Sequence, residues 1–202
     1  MIANTGTGRS CGDRKIWRRF AASLFQLACE CGYREADEKV FIADGGAWCW
    51  GIQKKYFGNA SGVLDWYHAC EHIWDCAKVL RSADEHVLSW VHEALSLLRT
   101  NGGEELLYWL QPQMSGLRWK KRDSLNALLG YFRSRVGLTE YRTYRDNKWQ
   151  IGSGMIEFTA KQLVGIRLKG PGVYWSPAGG SAITALRAHN NNGHALWKNL
   201  VI

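Results

Sequence analysis

Two short apolar runs, each followed directly by an aspartate, constrain the fold of this chain most. Residues 39–43 (KVFIA) and 60–64 (ASGVL) are rich in β-branched and small apolar side chains, which predicts two short strands. Two strands that are connected by a single helix pair with each other in parallel, so both should end at the same edge of one small sheet. Asp44 and Asp65 follow the two runs, at the edge where α/β folds present catalytic groups. Asp44-Gly45 is equally ordinary turn chemistry, and both interpretations stay open.

A third acid, Glu157, follows the glycine-rich turn of residues 151–154 (IGSG). Gly154 as an N-cap would place Glu157 at the third helical position, where a carboxylate stabilises the free backbone amides. No Asp or Glu follows Glu157, whereas five cations do: Lys161, Arg167, Lys169, Arg187 and Lys198. A carboxylate in such a positive field also suits a metal site that acts on a polyanion. Glu157 is therefore a candidate metal ligand as well as a helix-start residue.

The chain carries a formal charge of +8, and its basic residues are unevenly distributed. Residues 115–150 contain nine Lys and Arg against three Asp and Glu, whereas residues 65–105 contain eight Asp and Glu against three Lys and Arg. Cations that neutralise phosphates release counterions, so this distribution indicates a nucleic-acid partner. The densest cluster is Arg118, Lys120, Lys121 and Arg122. We expect this cluster to contact a DNA backbone rather than to form only a solvated face.

Helical spacing of apolar residues predicts that helices make up most of the chain around the two strands. The predicted helices are residues 15–31, 66–80, 85–98, 104–110 and 124–135. Ser82 provides a cap before the third helix, and the glycines at 102–103 end it. Short strands among helices predict an α/β fold class.

Three blocks that are rich in tryptophan or glycine follow one another along the chain. They are residues 40–50 (VFIADGGAWCW), 64–74 (LDWYHACEHIW) and 151–157 (IGSGMIE), with residues 167–170 (RLKG) and Trp175 after the third. Together they resemble DDE-type insertion-sequence transposases of the ISKra type. The resemblance implies an RNase H-like core in which Asp44 matches the second metal-binding acid and Glu157 the third. Asp65 and His68 match the D-x-x-H pair of that family.

The chain departs from this family at its start. Residues 1–13 are too few and too rich in glycine to form the opening strands, and Asp13 is the only acid among them. We therefore expect an incomplete RNase H-like core, truncated at the N-terminus, at residues 1–83 and 150–202. A mostly helical insertion with a basic DNA-contacting surface is expected at residues 84–149. Without the first acid, we expect the chain to be inactive alone.

The resemblance implies DNA strand cleavage and strand transfer assisted by two Mg²⁺ or Mn²⁺ ions. Asp44 and Glu157 would bind metal, and Asp65 and His68 would complete the catalytic residues. The partner would be double-stranded DNA, both transposon ends and target, with self-association left open. The candidate DNA-binding residues are Arg118, Lys120, Lys121, Arg122, Lys161, Arg167, Lys169 and Trp175. For Trp175, packing in a core and stacking on an unpaired base are both open.

Two other functions stay open. A non-catalytic DNA-binding protein derived from a transposase would keep the basic insertion without the chemistry. A zinc-stabilised interaction module would use His68, His72 and Cys76, which share one helix face, although no C-x-x-C pair completes a tetrahedral set and packed thiols are favoured. The chain has no apolar run of about 18 residues and no signal-peptide pattern, so we expect a cytoplasmic, nucleoid-associated bacterial protein without a membrane partner.

Overall fold

The fold comes from a computed structural model that describes residues 11–81 and 84–191. The chain forms two compact units, the first ending at Gly152 and the second beginning at Ser153. The predicted cap at Ser82, the cation Lys198 and residues 1–10 of the expected truncated start lie outside the described residues.

Helices dominate both units. The first unit contains, in chain order, α1 (Cys11–Glu30), β1 (Val40–Ala43), α2 (Ala47–Tyr56), β2 (Ser61–Leu64), α3 (Trp66–Leu80), α4 (Asp84–Leu110), α5 (Trp119–Arg133) and α6 (Tyr141–Asp146). Short 3₁₀ turns follow α4 at Gln111–Met114 and α5 at Val136–Leu138. The second unit contains α7 (Gly154–Ala160), a π-helical turn (Lys161–Gly165), α8 (Ile166–Leu168) and α9 (Pro177–Asn191).

The two predicted strands form one small parallel sheet, as expected. Val40 lies opposite Ser61 and Ala43 opposite Leu64, so the strands end level with each other. α2 makes the connection between them. The fold therefore belongs to a mixed α/β class, mostly helical, and the residues after both strands meet at one edge.

The two lateral edges of this sheet differ. Beyond β2, the hydroxyls of Tyr141 and Tyr144 on α6 donate to the carbonyls of Leu64 and Gly62, at 2.9 and 3.4 Å. Beyond β1, the backbone groups of Val40 and Ile42 face away from β2, because the parallel ladder uses alternate residues. No hydrogen bond to that edge is found among the described residues. As far as the structure describes the chain, the β2 edge is thus closed by tyrosines, and the β1 edge is open.

Several helix boundaries differ from their predictions. α3 spans the predicted residues, but the helices predicted at 85–98 and 104–110 form one element, α4, which breaks only at Gly102 (φ 81°, ψ −173°). Glycine tolerates this conformation, and the amide of Gly103 donates to Thr139 Oγ1 at 3.0 Å across the break. α5 begins at Trp119 rather than at residue 124, so the basic cluster lies at its start. α6 was not predicted.

The main core of the first unit is formed by α3, α4 and α5 around β2. Its largest fully buried side chains are those of Tyr141, Phe132, Leu64, Ile73, Leu98, Leu106, Leu110, Leu125 and Leu129. A smaller cluster of Ala21, Ile52, Phe57 and Ala60 packs α1 against α2. In the second unit, by contrast, no described residue is buried.

Candidate functional site

Asp44 follows β1 as an exposed residue whose contacts all end on one carboxylate oxygen. Oδ1 accepts hydrogen bonds from the amide of Gly46 at 2.9 Å and from the thiol of Cys49 at 3.3 Å. Burial and the nearby carboxylate raise the pKa of Cys49 to about 12, so the thiol stays protonated and can donate at neutral pH. Oδ2 accepts no hydrogen bond from the described residues, which leaves it able to bind a ligand.

Asp65 follows β2 at the same level of the sheet, but its environment is different. It is 2% exposed, and its Oδ1 accepts the backbone amides of Tyr67 and His68 at 2.8 and 3.1 Å. Its own amide donates to the carbonyl of Ala43 at 2.9 Å. Asp65 therefore acts as the N-cap of α3 and links the ends of the two strands.

Tyr131 on α5 and Arg135, which follows α5, support the loop that carries Asp44. Arg135, 90 residues away along the chain, donates from Nε to the carbonyl of Gly45 at 3.2 Å and makes a second bond to it from Nη2. The guanidinium lies over the ring of Tyr131, with its Cζ 4.4 Å from the ring centroid. A Cβ on Gly45 would come within 2.5 Å of Tyr131 Cε2, so only glycine permits this approach.

The imidazole rings of His72 and His68 on α3 continue the row of stacked side chains from Tyr131. The rings of His72 and Tyr131 lie 4.0 Å apart at 35°, and His68 meets His72 edge to face at 5.1 Å. Burial, then the neighbouring His68, lowers the pKa of His72, whereas His68 is 41% exposed and lies 3.2 Å from Glu71. His68, predicted as a catalytic residue, thus has its ring at the surface of α3.

Sequence reasoning missed three residues that surround Asp44: Cys49, Tyr131 and Arg135. The hydroxyl of Tyr131 is buried without a hydrogen-bond partner among the described residues, and burial raises the pKa of Tyr131 to about 12. Cys49 could have been identified from the sequence, because it follows Asp44 closely and lies in the first turn of α2. No short-range pattern could indicate Tyr131 or Arg135, because their contact with Gly45 depends on how α5 packs.

The candidate zinc residues do not form a metal centre on their own. His68, His72 and Cys76 lie along α3, but Cys76 is 3% exposed and His72 stacks on Tyr131. Among the described residues, no group of three or more His, Cys, Asp or Glu side chains is arranged to hold a metal ion. Cys29, Cys31, Cys49, Cys70 and Cys76 are free thiols.

Glu157 lies in the second unit, in the first turn of α7. The N-cap of that helix is Ser153 and not Gly154, so Glu157 is the fourth helical residue instead of the third. Ser153 Oγ donates to Glu157 Oε1 at 2.8 Å, and the amide of Glu157 donates to the Ser153 carbonyl at 3.0 Å. Glu157 is exposed, so its carboxylate combines a helix-start contact with access to solvent.

The candidate DNA-binding residues are at the surface. Arg118, Lys120, Lys121 and Arg122 are all exposed around the first turn of α5, and Lys161, Arg167 and Lys169 are exposed in the second unit. Trp175 is 43% exposed, and its indole N–H donates to the carbonyl of Arg167 at 3.2 Å. This contact fixes one edge of the Trp175 ring and leaves part of the ring surface accessible.

Comparison with known proteins adds no assignment. No protein-family model, curated protein or solved structure matches this chain. The transposase resemblance therefore stays a prediction from the sequence. Within the described residues, no helix is long and apolar enough to cross a membrane.

Proposed function

We propose that this chain is part of the catalytic core of a DNA transposase that cuts and joins strands with divalent metal ions. One observation carries the proposal: Asp44 is exposed at the carboxyl edge of a parallel strand pair, with Asp65 at the equivalent position of the neighbouring strand. In α/β sheets, ligands bind outside this edge. Within the mixed α/β class, the fold we propose is an incomplete RNase H-like core.

The residues at this edge fit Mg²⁺ only in part. Mg²⁺ favours one or two carboxylates together with waters and substrate phosphates, and one carboxylate oxygen of Asp44 accepts no hydrogen bond from the described part of the chain. Asp65 fits poorly, because the amides of Tyr67 and His68 already occupy its Oδ1. We propose metal binding for Asp44 in the first unit and, separately, for Glu157 in the second, whereas Asp65 is the N-cap of α3.

The protein's own residues prepare the site in distinct ways. A bound Mg²⁺ would supply Lewis-acid activation of the attacking oxygen and charge stabilisation at the leaving oxygen. The thiol of Cys49 and the amide of Gly46 orient the Asp44 carboxylate through Oδ1. Arg135 holds the Gly45 carbonyl and so fixes the loop between the acid and α2. His68 on α3, whose side chain is 41% exposed, can donate a hydrogen bond to a phosphate oxygen.

The open edge of β1 suits a further strand. Within the described residues, the outward backbone groups of Val40 and Ile42 form an unpaired row, which accepts an added strand readily. A strand there that ends in an acid would bring a further carboxylate to the edge where Asp44 and Asp65 lie. The transposase resemblance implies such an acid on the opening strands of that family.

Plasmid nicking tests the catalytic proposal. With Mn²⁺, we expect no nicking of supercoiled DNA by the chain alone. We expect nicking by a fusion that places an Asp-bearing strand along β1, and none by the same fusion carrying Asp44→Asn or Glu157→Gln. A folded fusion that never cuts DNA would overturn the proposal. Cutting by the chain alone, lost on Glu157→Gln, would instead show that its own acids suffice.

DNA binding can be tested separately through its salt dependence. Replacement of Arg118, Lys120, Lys121 and Arg122 by alanine should lower the slope of log affinity against log salt by up to about four units. As a control, Lys78→Ala with Arg81→Ala in the acidic part of the chain should leave the slope unchanged. An unchanged slope in the first variant would mean that the cluster is only solvated.

A non-catalytic DNA-binding protein is the second candidate. The observation in its favour is that the described residues contain no group of three metal-binding side chains. This candidate predicts the same salt dependence of duplex binding. It differs in predicting that the fusion fails to cut DNA under any divalent metal ion.

A further inference from the structure

A cavity between α1 and α2 combines aromatic rings with cations. Its volume is about 320 Å³, within the range of roughly 300–1,000 Å³ that small-ligand pockets occupy. Trp17, Trp48 and Tyr56 supply the rings, and Arg18 and Lys55 supply the charges. Among the described residues, no acid lines this cavity.

The rings are partly accessible and are held by packing underneath. Trp17 is 37% exposed, and its ring centroid lies 4.5 Å from that of Trp48 at an angle of 35°. Ile52 and Ala21, which are 8% and 3% exposed, form the base of the cavity. The aromatic surface is therefore positioned before any ligand arrives.

Gly51 leaves the space open. This residue lies inside α2 and lines the cavity, and a Cβ placed on it would meet no atom within 4 Å. Any other residue would project a side chain into that space. Glycine inside a helix costs stability relative to most residues. Because an added Cβ would meet no atom within 4 Å, packing against α1 does not require glycine here.

The charges favour a nucleic acid as the occupant. Arg18 and Lys55 line the cavity and are exposed, and Arg19 and Lys54 are the neighbouring residues on the same helices. Aromatic rings bordered by cations bind unpaired nucleotides, because bases stack on the rings while phosphates meet the cations. A cavity of this size holds one planar ring system and is too small for a helix of a protein partner.

We propose that the cavity lined by Trp17, Trp48 and Tyr56 binds one unpaired nucleobase, with Arg18 and Lys55 contacting the flanking phosphates. The first turn of α2 places Trp48 in this cavity, and the next residue, Cys49, donates to Asp44. Trp48 and Cys49 thus connect the cavity to the loop that carries the candidate acid. The inference rests on the proposed nucleic-acid substrate and adds that the substrate presents an unpaired base near the reacting phosphate.

Gly51→Leu tests the cavity with little disturbance to the fold. Leucine fills the open space, and its higher helix propensity should keep the thermal midpoint equal to or above that of the wild type. Gly130→Leu controls for adding a leucine inside a helix, since Gly130 lies in α5 with no atom within 4 Å of an added Cβ and lines a different cavity, with Tyr131 and Arg135. Both variants should remain folded, so a difference in binding reports on the cavity.

The measurement is fluorescence anisotropy with a labelled oligothymidylate of about 12 nucleotides and an abasic strand of the same length. We expect the wild type and Gly130→Leu to prefer the base-containing strand by about 10-fold or more, and Gly51→Leu to bind both strands equally. Arg18→Gln with Lys55→Gln should weaken binding to both strands and lower the salt slope by about 1.4.

The outcomes separate this inference from the proposed function. A base preference that persists in Gly51→Leu, or is absent in the wild type, overturns the inference even if the chain binds and cuts duplex DNA. A change of oligomeric state in Gly51→Leu with its base preference intact would assign the cavity to a protein contact and also overturn it. A base preference lost only in Gly51→Leu supports the inference even if the fusion never cuts DNA.

Discussion

The loops after β1 and β2 start at the same level of one sheet, and each starts with an aspartate, yet they are held in different ways. Asp65 is 2% exposed and caps the helix that follows it. Asp44 is exposed, and its loop depends on Arg135, which lies 90 residues from Gly45 along the chain. The β2 loop is therefore fixed locally, and the β1 loop by a distant part of the fold.

Tyr141 and Tyr131, which lie beside the β2 and β1 loops, also differ in whether their hydroxyls are hydrogen-bonded. Tyr141 is fully buried, and its hydroxyl donates to the carbonyl of Leu64, directly before Asp65. Tyr131 contacts the Gly45 loop, but its buried hydroxyl has no partner among the described residues. A carboxylate or hydroxyl that is buried and hydrogen-bonded within the protein stabilises the fold, whereas an exposed carboxylate such as that of Asp44 can bind a ligand. Equivalent positions in a sheet therefore do not imply equivalent roles.

The largest expected difference is between alanine substitutions of the two aspartates. Asp65→Ala removes the N-cap of α3 and should lower the free energy of unfolding by about 2 kcal/mol. Asp44→Ala removes an exposed carboxylate and should cost at most about 0.5 kcal/mol. Asp65→Asn should recover most of the loss, because asparagine caps helices well. Urea unfolding measures all three, and equal losses for both alanine variants would contradict the contrast between the loops.

The two tyrosines give a smaller difference. Tyr141→Phe leaves the carbonyl of Leu64 without its donor and should lower the free energy of unfolding by about 1–1.5 kcal/mol. Tyr131→Phe removes a buried hydroxyl that has no partner in the described residues, so it should be neutral or slightly stabilising. Chemical denaturation of the two variants provides the comparison. A clear loss in Tyr131→Phe would show that its hydroxyl is paired in solution.

The local parts of this architecture were predictable from the sequence. The strand runs at residues 39–43 and 60–64, their parallel pairing and the span of α3 follow from short-range patterns of apolar residues. Gly102 was identified as a helix break, although α4 resumes directly after it. These features depend on neighbours a few residues away, which is the range that periodicity and capping rules describe.

The support of the candidate site could not be predicted in the same way. Arg135 appeared in the sequence only as one of several cations after residue 115. Its contact with Gly45 exists because α5 packs beside the strand edge, and that packing is set by side chains distributed over three helices. Asp65 resembles part of a catalytic motif, yet its burial depends on how Trp66, the first residue of α3, packs against Tyr141 and donates to the carbonyl of Ile151. Long-range packing decides both cases.

Loss of the Arg135 contact should affect the β1 loop more than the whole protein. Arg135→Gln should cost about 1 kcal/mol of unfolding free energy and speed hydrogen exchange at the Gly46 amide, which donates to Asp44. Arg133→Gln is the matched control, because Arg133 is an exposed cation in the last turn of α5. The amide of Tyr67, held by Asp65, should keep its exchange rate in both variants. If the Gly46 amide exchanges at the wild-type rate in Arg135→Gln, the β1 loop does not depend on Arg135.

The smallest expected effect is a pH dependence carried by His72, which stacks on Tyr131 behind the β1 loop. Burial lowers the pKa of His72 below its ordinary value near 6.5, and the neighbouring His68 lowers it further. Between the folded and unfolded pKa values the unfolded chain binds more protons, so this contribution lowers stability as the pH falls below about 6.5. His72→Gln should therefore lose less stability than the wild type between pH 7.5 and pH 5, as measured by urea unfolding at each pH. If His72→Gln loses as much stability as the wild type over this pH range, the imidazole beside Tyr131 is not desolvated in solution.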